Sequence, residues 1–313
     1  MIKEYTAREI KNPTWNVSDV HGQYSYHSPH ADLYLYLSQW SDMESYLNVG
    51  YSRPGQYHLH TNTHLRLINR LADGLLELHA NGPYSSENDL LDIASGRGGA
   101  AIHARQRYGL QVTGVDITPY NAQRATSNAR NKMLCSNVRF NMADSTRLPF
   151  ASASFPLAWS IESPAHFPDK PAFLREVSRI LKPGGTFTFA DLLVVDDVAT
   201  ACKENRQIYQ EFLRVWDVPY LETFESYNQL IAQAGLELRQ TEIVTKYNLD
   251  ILNRDCVLFL WLSKPQWLYN SYKKYLNWRT GANLDNVYQH VRGSHQALRL
   301  GMIDYGLFWA VKS

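Results

Sequence analysis

Residues 90–99 read Leu90-Leu91-Asp92-Ile93-Ala94-Ser95-Gly96-Arg97-Gly98-Gly99, and eighteen positions after Gly98 a second short run, Val112 to Val115, closes on Asp116. Two short runs that each end in a carboxylate, the first feeding a glycine-rich turn, are how an open α/β sheet builds a nucleotide site outside its strand ends. The ligand expected at such strand ends is a nucleoside.

Charge decides which nucleoside. Gly96 to Ala101 can be forced onto the dinucleotide pattern G-x-G-x-x-A, so a nicotinamide-dependent oxidoreductase is the rival reading. A pyrophosphate needs unopposed backbone N–H groups at a helix start, whereas Asp92 places a negative charge near the turn, which suits an ammonium group. S-adenosylmethionine carries an ammonium and a sulfonium and no phosphate. A third acid agrees: Asp144 follows Val138-Arg139-Phe140, precedes Leu148-Pro149-Phe150, and could accept from the exocyclic amine of an adenine. Asp92, Asp116 and Asp144 are therefore expected to end three successive strands.

In these residues the chain resembles the class I S-adenosylmethionine-dependent methyltransferases, within the small-molecule branch of the ubiquinone, tocopherol and sterol methyltransferases. The resemblance runs from about Asn48 to Val195. It is carried by Leu91 to Gly99, Gly114 to Thr118, Ala143-Asp144 with Leu148-Pro149-Phe150, and Leu181-Lys182-Pro183-Gly184-Gly185. It implies an α/β, Rossmann-like fold: a seven-stranded, mostly parallel sheet with helices on both faces, its last two strands antiparallel at one edge, and a helical cap from N-terminal and C-terminal insertions. It also implies that Asp92, Gly96 and Gly98 surround the methionine part, that Asp116 holds both ribose hydroxyls and that Asp144 fixes the adenine. Ala94, Ile117, Ala143 and Ser160 are the further cofactor-binding positions it suggests. Ala94 stands where the family usually has Gly, and a slightly displaced loop is expected there. Asn48-Val49-Gly50-Tyr51 matches an Asn-x-Gly-aromatic stretch that closes over the cofactor in related enzymes, which puts Tyr51 near the cationic sulfur.

A chain of 313 residues with 44% apolar content can bury a full core. Its net charge of +1, without a basic run, argues against a nucleic-acid partner. Cys135, Cys202 and Cys256 are odd in number and widely spaced, so neither a disulfide framework nor a Cys-x-x-Cys metal site follows, and a reducing cytoplasm is the expected compartment. The polar start, Met1 to Tyr5, and the lack of any apolar run near the ~20 residues of a membrane span predict a soluble protein. A homodimer is left open. His58, His60 and His64 invite a metal reading, set aside because no nearby Cys or Glu completes the ligand set.

Along the chain, residues 1–80 read as an irregular arm followed by helices over 31–46 and 62–80 that close over the site. Residues 81–195 form the cofactor-binding core, with strands near 89–94, 112–116, 138–142, 156–161 and 185–191 and a helix over 172–181 stopped by Pro183-Gly184. Residues 196–313 carry helices over 199–216 and 224–234, strands over 236–244 and 305–311, and an insertion at about 248–299 rich in Trp, Tyr and Leu. That insertion is expected to be a helical substrate lid, with Trp216, Trp267 and Trp278 walling an apolar pocket.

The chemistry is expected at the end of the fourth strand, which in this fold faces the transferring methyl. S-adenosylmethionine is already an activated donor, so the protein must align the acceptor, exclude water and, for a hydroxyl, remove a proton. His166, in Ala165-His166-Phe167-Pro168-Asp169, is the expected base. Glu162 is the second candidate, as base or as partner to a developing positive charge, and His290 or His295 could reach down from the lid. The expected reaction is O-methylation of a hydroxyl on a lipophilic secondary metabolite, polyketide or peptide-derived. C-methylation of an isoprenoid or quinone ring is the near alternative, and a cofactor-binding scaffold without catalysis the third, because fold alone does not fix function.

Overall fold

The computed structural model describes residues 6–18, 48, 50, 51, 60–280 and 284–313, with backbone alone at 60–62, 250, 251, 254, 255, 276–280, 284, 286 and 287. The helix expected over 31–46 and the side chains of His58 and His60 lie outside the described residues.

Seven strands, β1 (Asp89–Ile93), β2 (Gln111–Asp116), β3 (Val138–Met142), β4 (Phe155–Ile161), β5 (Leu181–Val194), β6 (Leu236–Ile243) and β7 (Ile303–Lys312), form one sheet in the order β3-β2-β1-β4-β5-β7-β6. The first five run parallel. β7 lies antiparallel to both β5 and β6, as the resemblance implies for the sheet edge. The central strands β1 and β4 are buried on both faces, which is why they read as near-continuous apolar runs, while β3 and β6 at the two edges turn half their residues outward.

Alternation along the strands divides the core between two faces. On one, Leu90, Leu157 and Trp159 receive Ile68, Ala72 and Leu75 of α1 (His60–Ala80) and Ala101 of α2 (Gly99–Tyr108). After α3 (Pro119–Asn131), the other face takes α4 (Lys170–Ile180). There Leu91, Ala158 and Phe187 receive Phe173, Leu174 and Val177, each contributing ~1.5–3 kcal/mol by burial. Asp169 starts α4 by accepting the Ala172 N–H at 2.8 Å, with Pro171 in the first turn where its missing N–H costs nothing.

Two boundaries differ from the sequence expectation. β5 begins at Leu181, which pairs with Phe155, and the Pro183-Gly184 segment is absorbed as a register shift, Gly184 taking φ +78°. The helix expected over 199–216 is two, α5 (Asp196–Thr200) and α6 (Lys203–Val215), because Cys202 is extended at φ −149° and its Sγ caps α6 by accepting the Asn205 N–H at 3.4 Å. After α7 (Phe224–Gln233), the long insertion is helical as expected: α8 (Thr245–Leu262), α9 (Gln266–Thr280) and α10 (Leu284–Arg299). Pro265 separates α8 from α9. α10 packs against α6 and α8.

Candidate active site

The chain leaves β1 through three left-handed residues, Ala94 (φ +58°), Gly96 (φ +54°) and Gly98 (φ +81°). Glycine adopts this conformation freely and alanine does so at a cost of about 1 kcal/mol, the physical reason a Gly is usual at Ala94. The departure thus registers as backbone strain at one residue. At Gly98 a Cβ would stand 2.5 Å from the Phe140 ring, so glycine is required by contact as well as conformation. The turn is fastened to β2 by two donors: Ser95 N–H to the Val115 carbonyl at 2.8 Å, and Gly96 N–H to Asp116 Oδ2 at 2.9 Å.

Asp92 is buried one residue before the end of β1, and its Oδ2 has no hydrogen-bond partner. Burial pushes the carboxyl up to about 7; the neighbouring Trp159 indole opposes this and the charge of Asp116 adds to it. Asp116 is satisfied differently, accepting from the Thr118 N–H at 2.8 Å and the Asn121 side-chain amide at 3.3 Å besides Gly96. Burial raises its pKa and these donors pull it back. Asp144 is exposed, two residues past β3, and its Oδ1 accepts both the N–H and the hydroxyl of Thr146 at 2.8 Å, an Asx turn that shapes the loop. Ala143 N–H donates to the Asp116 carbonyl at 3.0 Å, joining the ends of β2 and β3. Ile117 is 36% exposed beside these acids; Met142, which pairs with Asp116 across the strands and is 63% exposed, is an apolar neighbour the sequence reading did not single out. Ser160 is fully buried and its hydroxyl donates to the Ile93 carbonyl at 3.0 Å, tying β4 to β1 beneath the turn.

Glu162, just past β4, is also left-handed (φ +56°). Its N–H donates to the Ala190 carbonyl at 2.8 Å and its Oε1 accepts the Tyr305 hydroxyl at 2.5 Å. Burial and the adjoining Glu162 charge hold the Tyr305 phenol well above its ordinary pKa. His166 closes a 3₁₀ turn (Pro164–His166) and is half-buried. Its Nδ1 lies 3.2 Å from the Asp217 carbonyl, which requires the proton on Nδ1 and leaves the lone pair on Nε2. Burial pushes the imidazole down to about 4.

The turn carrying His166 rests on buried charges that the sequence reading missed. Asp191 Oδ1 accepts the Ala165 N–H at 3.0 Å, and Lys170 Nζ donates to the carbonyls of Phe167 at 3.0 Å and Tyr220 at 2.9 Å. Lys170, Asp191 and Glu222 are all buried; burial pulls the lysine pKa down and the Asp191 pKa up, and Glu222 meets Arg8 at 3.1 Å. The available signal was Asp191 itself, a carboxylate inside the apolar run Phe187 to Val194, which must be partnered to be buried.

Tyr51 is buried with its ring 5.4 Å from Tyr247 of α8. Asn48 Oδ1 accepts the Gly50 N–H at 3.0 Å and sits 3.0 Å from His64 Nδ1, while the Asn248 side chain donates to the Gly50 carbonyl. The Asn-x-Gly-Tyr stretch is thus clasped between α1 and α8. Of the expected pocket wall, Trp216 is half-buried, 5.2 Å from His290 and donating to Ser294 Oγ at 2.8 Å, a joint between α6 and α10. His295 Nδ1 pairs with Asn253 Oδ1 at 2.7 Å, between α10 and α8. Trp267 is 73% exposed. The side chain of Trp278 lies outside the described residues.

This strand order, with its antiparallel strand inserted next to the edge and a glycine turn between two acids, defines the fold of the class I methyltransferases. Residues 91–189 match the family model described as a methyltransferase domain. Methyltransferase GfsG of Streptomyces halstedii is 32% identical over 173 residues, covering 54% of this chain and 60% of the relative. The 27-O-demethylrifamycin SV methyltransferase of Amycolatopsis mediterranei is 32% identical over 182 residues, covering 58% and 63%. The chain therefore matches less than two thirds of the length of either relative. Geranyl diphosphate C-methyltransferase from Streptomyces coelicolor, solved with S-adenosyl-L-homocysteine, superposes with a TM-score of 0.69 at 17% identity, over 96% of this chain and 99% of that one, a likeness of fold.

Proposed function

We propose that the chain catalyses methyl transfer from S-adenosylmethionine to a hydroxyl of a lipophilic small molecule, of the polyketide or peptide-derived class. The observation that carries this reading is Asp92: a buried carboxylate with an orphaned oxygen beside a left-handed glycine turn fits a cationic ligand group and repels a phosphate. In this reading Asp92, Gly96 and Gly98 hold the methionine part and its ammonium. Asp116, whose oxygens keep lone pairs beyond their present donors, takes the ribose hydroxyls. Ile117, Ala143 and Asp144 flank the adenine, and Tyr51 lies on the sulfonium side.

The cofactor supplies an activated methyl group; the protein's tasks are alignment, exclusion of water and removal of the hydroxyl proton. His166 is the candidate for the last: its Nδ1 donates to the Asp217 carbonyl and the lone pair lies on Nε2, while burial, pushing the imidazole down to about 4, keeps it neutral at working pH and makes it a weaker base than free histidine. Glu162, held by Tyr305, supplies negative charge at the same strand end. The name of the rifamycin relative supports oxygen as the acceptor atom. Helices α8 to α10 serve as the lid over the acceptor. Exposed Cys135 and Cys202, both free, suit a reducing cytoplasm.

Calorimetry with S-adenosylmethionine, S-adenosylhomocysteine and NAD, followed by turnover on a panel of hydroxylated polyketides, tests the reading. Binding of the first two ligands and not NAD, with a product heavier by one methyl on oxygen, is expected. Tight NAD binding without response to S-adenosylhomocysteine would overturn it.

A further inference from the structure

The proposed reaction leaves one surface unexplained. On α8, Leu258, Trp261 and Leu262 recur at helical spacing and are 55%, 63% and 48% exposed. At the start of α9, Trp267 and Leu268 are 73% and 39% exposed. Single exposed apolar residues are ordinary, but here two tryptophans and three leucines are exposed within eleven positions on either side of the turn that joins the two helices.

The charges inside this stretch of sequence are basic, with Asp255 and Asp285 bounding it. From Cys256 to Leu284 the sequence contains Lys264, Lys273, Lys274 and Arg279 and no Asp or Glu. Lys273 pairs with Asp285 of α10, whereas Lys264, in the turn itself, and Lys274 are exposed. Among the described residues no helix is long and apolar enough to cross a membrane. Indole rings flanked by lysines, on helices that do not span, are the chemistry of a segment lying in a lipid headgroup layer: the rings sit at the boundary and the ammonium groups meet anionic phosphate. A second copy of the chain is a poor occupant. Self-pairing about a twofold axis would set the exposed Lys264 and Lys274 against their own copies, while Asp285 is already engaged by Lys273.

We propose that the α8–α9 turn docks the protein on the surface of an anionic lipid bilayer. This goes beyond the proposed reaction and does not depend on it.

The test is co-sedimentation of the full chain with vesicles of phosphatidylcholine alone and of phosphatidylcholine mixed with phosphatidylglycerol. It compares wild type with Trp261→Ser/Trp267→Ser and with Lys264→Glu/Lys274→Glu, whose folding is checked by circular dichroism. Wild type should bind the anionic vesicles about tenfold or more tightly than neutral ones, less tightly as salt is added, and each double variant should lose a similar factor. Absence of vesicle binding, or binding that neither variant weakens, overturns the proposal. So does a wild-type dimer in sedimentation velocity that the tryptophan variant dissociates, which would make a second copy the occupant. Binding of polyglutamate without binding of anionic vesicles would assign the surface to an acidic protein instead.

Discussion

Tyr305 donates its hydroxyl to Glu162 across the interior, 2.5 Å from a residue held in left-handed backbone at the end of β4. A phenol from β7 thereby fixes a carboxylate on the loop that follows β4, 143 positions earlier in the chain. The conformation of Glu162 costs about 1 kcal/mol, and such strain persists only where surrounding contacts over-determine it.

Tyr305→Phe removes that contact and little else. Turnover is expected to fall about 10- to 100-fold while the cofactor dissociation constant changes less than about threefold, because the orientation of Glu162 matters in the transition state and not for holding the nucleoside. Steady-state kinetics beside calorimetry measures both. Equal losses in the two would place Tyr305 in overall stability.

Asp92 gives a pH dependence with two opposite signs. A cationic ligand binds the ionised carboxylate, so cofactor affinity should fall as pH drops below about 7, and Asp92→Asn should cost about 1.5–3 kcal/mol and flatten the profile. The free protein behaves inversely. A folded pKa of about 7 lies above the ordinary 3.8, so this group favours folding below the ordinary value and loses that contribution as pH rises through 7. The same Asp92→Asn substitution should therefore raise the denaturation midpoint above pH 7 and leave it unchanged near pH 4.

His166→Ala should lower kcat by ~10²–10⁴ with cofactor affinity retained, and Gln should be nearly as harmful. With the imidazole pushed down to about 4, the wild-type rate should be flat in this group from about pH 6 to 8 and fall only toward pH 4. An acid limb centred near 6.5 would show that His166 is not the group titrating at that depth of burial.

Ala94→Gly should be neutral or stabilise by up to about 1 kcal/mol, the relief of left-handed strain set against the entropy glycine adds to the unfolded chain. Ala94→Val should destabilise by about 2 kcal/mol, since a branched Cβ is least tolerated at positive φ. Denaturant titration ranks the three.

What the sequence revealed follows from the range of the interactions involved. The glycine turn and the acids at the ends of β1 and β2 were legible because strand periodicity and turn chemistry are local, and the cap insertion declared itself by its length. Asp191 under the turn of His166, Tyr305 against Glu162 and Asn248 on Gly50 were not, since each joins residues 26 to 198 positions apart. The Ser160 hydroxyl shows the same range effect: its hydrogen bond to the Ile93 carbonyl follows only once β4 is known to lie beside β1. The 73% exposure of Trp267 was likewise not legible, because aromatic content does not say which side of a helix faces in.

The sheet order also sets the timing of synthesis. β6 is complete at Ile243, but its neighbour among the described strands, β7, begins only at Ile303, and the same strand covers the open edge of β5. While α8, α9 and α10 emerge from the ribosome, a fourteen-residue strand and an eight-residue one both wait with unsatisfied backbone edges. That interval, about sixty residues long, is when the nascent chain is most open to pairing with the wrong strand, and chaperone demand should concentrate there.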